Sequence, residues 1–127
     1  MKHSKIIQKI TFIGLCLALG FFASLTYADD AQVVDAKFKH LGGNEYRFDV
    51  TLQHEDTGWD HYANAWLVYD MEGNLLGERV LYHPHVNEQP FTRSLTISIP
   101  ETIEKVLIKA QDSVHGVNDK GFELQIK

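Results

Sequence analysis

Hydrophobic and polar residues alternate with a period of two along most of the chain, which is the pattern of β-strands with one buried and one wet face. Three segments alternate most clearly: residues 46–53, 94–99 and 105–111. Four further apolar, β-rich segments complete a set of seven: residues 33–39, 65–69, 75–82 and 122–126. After residue 28 no segment has the 3.6-residue period of an amphipathic helix.

Turn residues separate these segments at short intervals. Residues 42–44 and 71–74 have the glycine and asparagine composition of hairpin turns. A tryptophan, Trp66, falls in the third strand. Short strands at this spacing predict an all-β fold, a seven-stranded antiparallel immunoglobulin-like (fibronectin-III-like) β-sandwich.

The first 28 residues differ in composition from the rest. Three lysines precede an uncharged apolar run from residue 10 to 25, and the small residue Ala28 comes just before Asp29. This pattern predicts a secretory signal peptide over residues 1–28, cleaved after Ala28, and a single β-sandwich domain over residues 29–127. A transmembrane anchor is the alternative, but the run is short for a span. Leu15 precedes Cys16 where a lipoprotein needs a small residue, so lipidation is not expected.

Charge and cysteine usage narrow the function classes. Residues 29–127 carry 9 basic and 17 acidic side chains, a formal charge of −8, and no cysteine. This acidity argues against a nucleic-acid partner. With its leader removed, the chain has no predicted transmembrane segment. A cysteine-free exported domain fits a bacterial periplasm, or secretion, better than a small eukaryotic secreted domain.

The histidines are the candidate chemistry. If consecutive strands run antiparallel, the second-to-third, fourth-to-fifth and sixth-to-seventh strand loops share one end of the sandwich. Five histidines fall in or beside those loops: His54, His61, His83, His85 and His115. Of the six histidines after residue 28, only His40 is predicted to lie at the opposite end.

Imidazoles and carboxylates converging in these loops, without a lysine, predict a site for a borderline divalent metal. The candidate ligands are His83, His85, His61, His115, His54, Asp112, Asp60 and Glu88. His83 and His85, in a His-Pro-His motif, are the strongest single element. The chain lacks a thiol after residue 28, and its one methionine there, Met71, lies at the far end. Cu(II) or Zn(II) is therefore the expected cofactor, in preference to Cu(I) or calcium.

Each of these residues also has a purely structural interpretation. His54 continues the inward face of the second strand, while Trp59 and Tyr62 are expected to cap the open end of the core. Asp56 and Asp60 beside Gly58 have the composition of a turn. Arg93 is expected to be an ion-pair partner of a nearby acid such as Glu88.

Two loop sequences carry a resemblance. Residues 54–62 (HEDTGWDHY) and 83–95 (HPHVNEQPFTRSL) resemble those of small, uncharacterised exported His-rich proteins of Gram-negative bacteria. More loosely, the architecture is similar to periplasmic copper-binding β-sandwiches, which place His ligands at one end. This chain lacks the methionine-rich stretches of many copper carriers, which argues against Cu(I) trafficking.

The sequence therefore predicts a periplasmic metal-binding module that sequesters or delivers Cu(II) or Zn(II). The alternative is a metal-independent protein-interaction module of a cell-envelope assembly, with Trp59, Tyr62, His83 and Phe91 as an aromatic hot spot for an envelope protein. An enzyme is the least favoured class, because neither an activated nucleophile nor a carboxylate pair with an assignable substrate is apparent.

Overall fold

The computed structural model describes residues 29–127. The predicted leader, residues 1–28 with Cys16, lies outside the described residues. Residues 29–127 form eight β-strands: β1 (Gln32–Gly42), β2 (Glu45–Gln53), β3 (Ala63–Asp70), β4 (Leu75–Val80), β5 (Phe91–Ser98), β6 (Lys105–Asp112), β7 (Gly116–Val117) and β8 (Phe122–Gln125). This part of the chain contains no helix that is long and apolar enough to cross a membrane. The all-β prediction is confirmed.

The strands form two antiparallel sheets. One has the order β1-β2-β5 and the other β4-β3-β6-β7, with β8 also paired to β6. The seven predicted strands correspond to β1–β6 and β8, so the structure adds an eighth strand, β7. This strand is only two residues long and pairs with Gln111 and Asp112, which is too short to produce a periodic signal. The immunoglobulin-like assignment stays a prediction.

Side chains from both sheets form one core cluster. Along β2 every second residue is buried, as the alternation predicts. Fully buried members include Phe48, Val50 and Leu52 from the first sheet and Trp66, Val68, Val106 and Ile108 from the second. Burial of each such side chain contributes about 1.5–3 kcal/mol of transfer free energy, so this cluster is the main stabilising feature of the domain.

One end of the sandwich gathers polar residues beside this core. His54 follows directly after β2 and keeps the inward direction of Leu52, so it is only 2% exposed. Asp112, the last residue of β6, pairs with Ala63 at the start of β3 and with Gly116 in β7. His40 lies at the opposite end of β1, where its ring stacks on Tyr46 at 4.5 Å between centroids.

Candidate metal centre

A fully buried pair of side chains, His54 and Asp56, forms the inner wall of the site. The two side chains have no solvent exposure, and His54 Nδ1 donates to Asp56 Oδ1 at 2.5 Å. Asp56 also accepts from the backbone N–H of Ala63 at Oδ1 (2.9 Å) and of His85 at Oδ2 (2.8 Å). Because a carboxylate can only accept, the proton of neutral His54 lies on Nδ1 and the lone pair on Nε2.

The Nε2 atom of His54 faces electron-pair donors. The carbonyl oxygen of Asp29 lies at 3.1 Å, a carboxylate oxygen of the same residue at 3.7 Å, and His61 Nε2 at 3.2 Å. His61 Nε2 also lies 3.1 Å from Asp112 Oδ1, so its one proton cannot serve both neighbours. Because the one proton of neutral His54 lies on Nδ1, its Nε2 has no proton to donate to the Asp29 carbonyl.

Asp112 is the central carboxylate and is crowded by donors. Its Oδ1 accepts from the backbone N–H of Val114 (2.9 Å) and of His115 (2.7 Å), and His115 Nδ1 lies 3.1 Å from the same oxygen. Burial raises the pKa of Asp112, but the backbone N–H groups of His115, Val114 and Ala31 outweigh this effect and the net pKa is lowered. Asp112 is therefore a carboxylate at neutral pH, as a metal ligand must be.

The first described residues close the other side of the cluster. Besides Asp29 at His54, Asp30 Oδ1 lies 3.3 Å from His115 Nδ1. Ala31 is fully buried; its N–H donates to Asp112 Oδ2 at 3.4 Å, and its carbonyl accepts from Asn118 Nδ2 at 3.0 Å. Residues 29–31 thus run along the cluster and contact it at His54, at His115 and at Asp112.

The ligand atoms group in two sets that share one residue. Within residues 29–127, Asp29, His54 and His61 form one set, His61, Asp112 and His115 the other, and the ligand atoms of each set lie within 4.8 Å of one another. A tetrahedral ion with bonds of 2.0–2.1 Å holds its ligand atoms about 3.3 Å apart. The 3.1–3.2 Å separations around His61 Nε2 match this spacing. Both sets need the same lone pair of His61, and His54 is not grouped with Asp112 or His115, so the two sets are alternative positions for one ion.

The cluster is buried on its inner side and open on its outer side. The side chains of His54 and Asp112 are fully buried, whereas those of His61 and His115 are 20% and 36% exposed. The buried side chains would therefore hold an ion from the core side, and the exposed side chains would leave it accessible to water or to an exchanging ligand.

The His-Pro-His motif lies beside this cluster but outside both sets. The His85 ring stacks on Phe91 at 4.0 Å and 10°, and neither of its nitrogens has a hydrogen-bond partner among the described residues. Burial, followed by the charges of Arg93 and His83, lowers the pKa of His85. His83 is exposed and lies 4.7 Å from His85 between ring centroids. A chain of contacts through Asp56 thus joins all five loop histidines at one end.

The remaining two predicted ligands point elsewhere. Glu88 accepts from Arg93 Nη2 at 3.0 Å on the surface, and this hydrogen bond is the main cause that lowers the pKa of Glu88. Asp60 is exposed, and within residues 29–127 its carboxylate makes no hydrogen bond or ion pair. The structure thus brings together His54, His61, His115 and Asp112 and leaves His83, His85, Asp60 and Glu88 outside the two sets.

Three acidic residues of the site are absent from the sequence-derived ligand set. Asp29 and Asp30 are adjacent acids directly after the predicted leader, a signal that could have suggested ligands at a processed terminus. Asp56 has the composition of a turn beside Gly58, and its position two residues after inward-facing His54 is the available signal. Its burial depends on the path of the whole loop, which alternation does not specify.

Comparisons with known proteins find a sequence relative that this chain matches over part of its length. No protein-family model matches the chain. A protein named "putative lipoprotein" from Halomicrobium mukohataei is 44% identical over 87 residues, which is 68% of this chain and 43% of that protein. The chain therefore spans less than half the length of this relative.

Among solved structures, the superoxide reductase of Giardia intestinalis aligns with a TM-score of 0.44 and 17% identity, over 75% of this chain and 99% of that one. A TM-score below 0.5 does not establish a common fold, so neither fold nor activity is transferred from it.

Proposed function

We propose that the protein is an exported metal-binding module in which Asp29, His54 and His61 hold one Cu(II) or Zn(II) ion beside Asp112 and His115. The carrying observation is the lone pair of His54 Nε2, which faces the Asp29 carbonyl at 3.1 Å and His61 Nε2 at 3.2 Å. Such a convergence of electron-pair donors is costly without a cation and favourable around one. The carboxylates of Asp29 and Asp30 complete the charge neutralisation.

The buried pair behind the site supports this proposal. A metal-binding histidine usually donates its second ring N–H to a carboxylate or carbonyl, which fixes the tautomer and makes the metal-facing nitrogen more basic. Asp56 does this for His54 at 2.5 Å with both side chains fully buried. Two imidazoles with a carboxylate in each set suit Cu(II) or Zn(II) and disfavour calcium, which prefers oxygen ligands alone.

The cellular setting is part of the proposal. The name of the relative from Halomicrobium mukohataei, "putative lipoprotein", favours an exported protein, and the composition of residues 1–28 favours cleavage after Ala28. We place the protein in the periplasm, where its open site would sequester or deliver the ion.

The division of β1, β2 and β5 from β3, β4 and β6 supports an immunoglobulin-like sandwich.

The test is a titration of Cu(II) and Zn(II) into the purified protein. His61→Gln is expected to weaken binding at least about tenfold, because it removes the ligand that both sets share. His40→Gln, at the opposite end, is the matched control and should bind like the wild type. Equal binding by both variants would refute the site, and loss of binding only in a His83→Gln/His85→Gln variant would move it to the His-Pro-His motif.

A metal-independent interaction module is the second candidate. Trp59 and Tyr82 are 67% and 75% exposed on the loops of the same end, and exposed aromatic residues are typical anchors of protein interfaces. Phe91 is 2% exposed because the His85 ring covers it. It therefore cannot belong to the predicted hot spot. This candidate predicts that Trp59→Ala/Tyr82→Ala loses an envelope partner in cross-linking while the metal affinity is unchanged.

A further inference from the structure

We infer that the α-amino group of Asp29, set free when the leader is removed after Ala28, is a further ligand of the metal centre. This inference rests on the proposed function and adds a form of regulation, because full metal affinity would then require export and processing. The binding partner is the same Cu(II) or Zn(II) ion.

The position of Asp29 provides the geometric basis. Its carbonyl oxygen lies 3.1 Å and its Oδ2 3.7 Å from His54 Nε2. The α-nitrogen is attached to the same Cα as both groups. An ion on His54 Nε2 would therefore form a five-membered chelate ring with the amine and the carbonyl, or a six-membered ring with the amine and the β-carboxylate.

The residues after Asp29 are fixed independently of any metal. Ala31 is fully buried, with its carbonyl bonded to Asn118 and its N–H to Asp112. The Asp30 carboxylate lies 3.3 Å from His115 Nδ1. Only Asp30 separates the buried Ala31 from the new terminus at Asp29, so little chain entropy opposes placing the amine on the ion.

Processing changes the chemistry of this nitrogen. In the precursor it belongs to a peptide bond, where resonance delocalises its lone pair. Hydrolysis by a signal peptidase consumes one water and leaves a carboxylate on Ala28 and an amino group on Asp29, without any redox change. A free α-amine has a pKa of about 7.7–8.0 and gives up its proton when it binds a metal. The precursor thus lacks a donor that the mature protein has.

The experiment compares one purified protein in two states. The full chain is exported in a bacterial host, its mature N-terminus is determined by intact mass, and Cu(II) affinity is measured by competition with a chelator. Part of the sample is acetylated near pH 7, where the α-amine reacts ahead of the lysines because its pKa is about 2.5 lower. Peptide mass spectrometry checks that Asp29 alone carries the acetyl group, and circular dichroism checks the fold.

We expect a terminus at Asp29, an affinity at least about tenfold lower after acetylation, and one fewer nitrogen ligand in the electron paramagnetic resonance spectrum of bound Cu(II). Equal affinity and equal spectra would overturn the inference while the metal site itself stands. A terminus at Cys16, or at any residue other than Asp29, would also overturn it. Failure of both forms to bind Cu(II) or Zn(II) would refute the proposed function together with the inference.

Discussion

At the scale of single residues, the buried carboxylate of Asp56 links stability to metal affinity. Asp56→Asn keeps the shape but replaces one acceptor with an NH₂ group, so either His85 N–H or the donors from His54 and Ala63 lose their partner. We expect a loss of about 1–3 kcal/mol in the free energy of unfolding of the metal-free protein. Metal affinity should fall about 10–100-fold. Urea denaturation and metal titration measure the two effects.

The matched control for this residue is Asp60→Asn in the same loop. Asp60 is exposed, so its replacement is expected to change the free energy of unfolding by less than about 0.5 kcal/mol. If both variants lost the same stability and affinity, Asp56 would have no special role in orienting His54.

A second residue-scale prediction concerns acid stability. Burial, and then Arg93 and His83, lower the folded-state pKa of His85 below its unfolded value of 6.5. The unfolded chain therefore binds the proton more readily, and the stability due to neutral His85 is lost as the pH falls below 6.5. In His85→Phe, which keeps a flat ring on Phe91, this loss is absent. We expect the free energy of unfolding of the variant, relative to the wild type, to rise between pH 7 and pH 5.

Urea denaturation of the metal-free proteins across this range tests the prediction. Val86→Phe, at an exposed position of the same loop, controls for an added aromatic ring. Parallel pH profiles of wild type and His85→Phe would show that His85 does not contribute to the acid sensitivity.

At the scale of elements, β4 packs closely against β5 at Gly77. A Cβ built on Gly77 would meet the Ile97 side chain at 2.8 and 2.9 Å. Gly77→Ala is therefore expected to cost about 1–3 kcal/mol of stability through overpacking and to leave metal affinity unchanged, since neither residue belongs to the site. Glu78→Ala, at the next and exposed position of β4, should be nearly neutral. An equal thermal shift in both variants would contradict this packing argument.

Elements with a clear period could be predicted from the sequence. The alternation of residues 46–53 and 105–111 placed β2 and β6 within one residue of their observed bounds, because burial of one face imposes the period. The two-residue β7 has no period to detect. Its position follows from its pairing with Gln111 and Asp112, which is a tertiary property.

The site was predictable only in part, for the same reason. Strand parity brought His54, His61 and His115 to one end, but it could not tell ligands from neighbours. His85 turns its ring onto Phe91, and Asp56 turns inward to accept backbone N–H groups. Both outcomes depend on loop paths and on contacts across the two sheets, and single-sequence patterns do not carry that information.

At the scale of the whole molecule, metal binding and folding are coupled. An ion that binds only the folded chain adds about 2.7 kcal/mol to the free energy of unfolding at a free concentration of 100 times Kd. For a domain of this size each kcal/mol raises Tm by about 4–8 °C. We therefore expect Zn(II) at pH 7.5 to raise Tm by roughly 10–20 °C and a chelator to reverse the shift.

Two changes should remove this stabilisation for different reasons. At pH 5 protons compete with the ion for the imidazole lone pairs, so the shift in Tm should shrink. His61→Gln removes the ligand that both sets share, whose side chain is 20% exposed, so it should lose most of the metal-induced shift. His83→Gln, which alters an exposed histidine outside both ligand sets, should keep the full shift. Calorimetry that found the same metal-induced shift at pH 5 and pH 7.5, or in His61→Gln and wild type, would contradict binding at this centre.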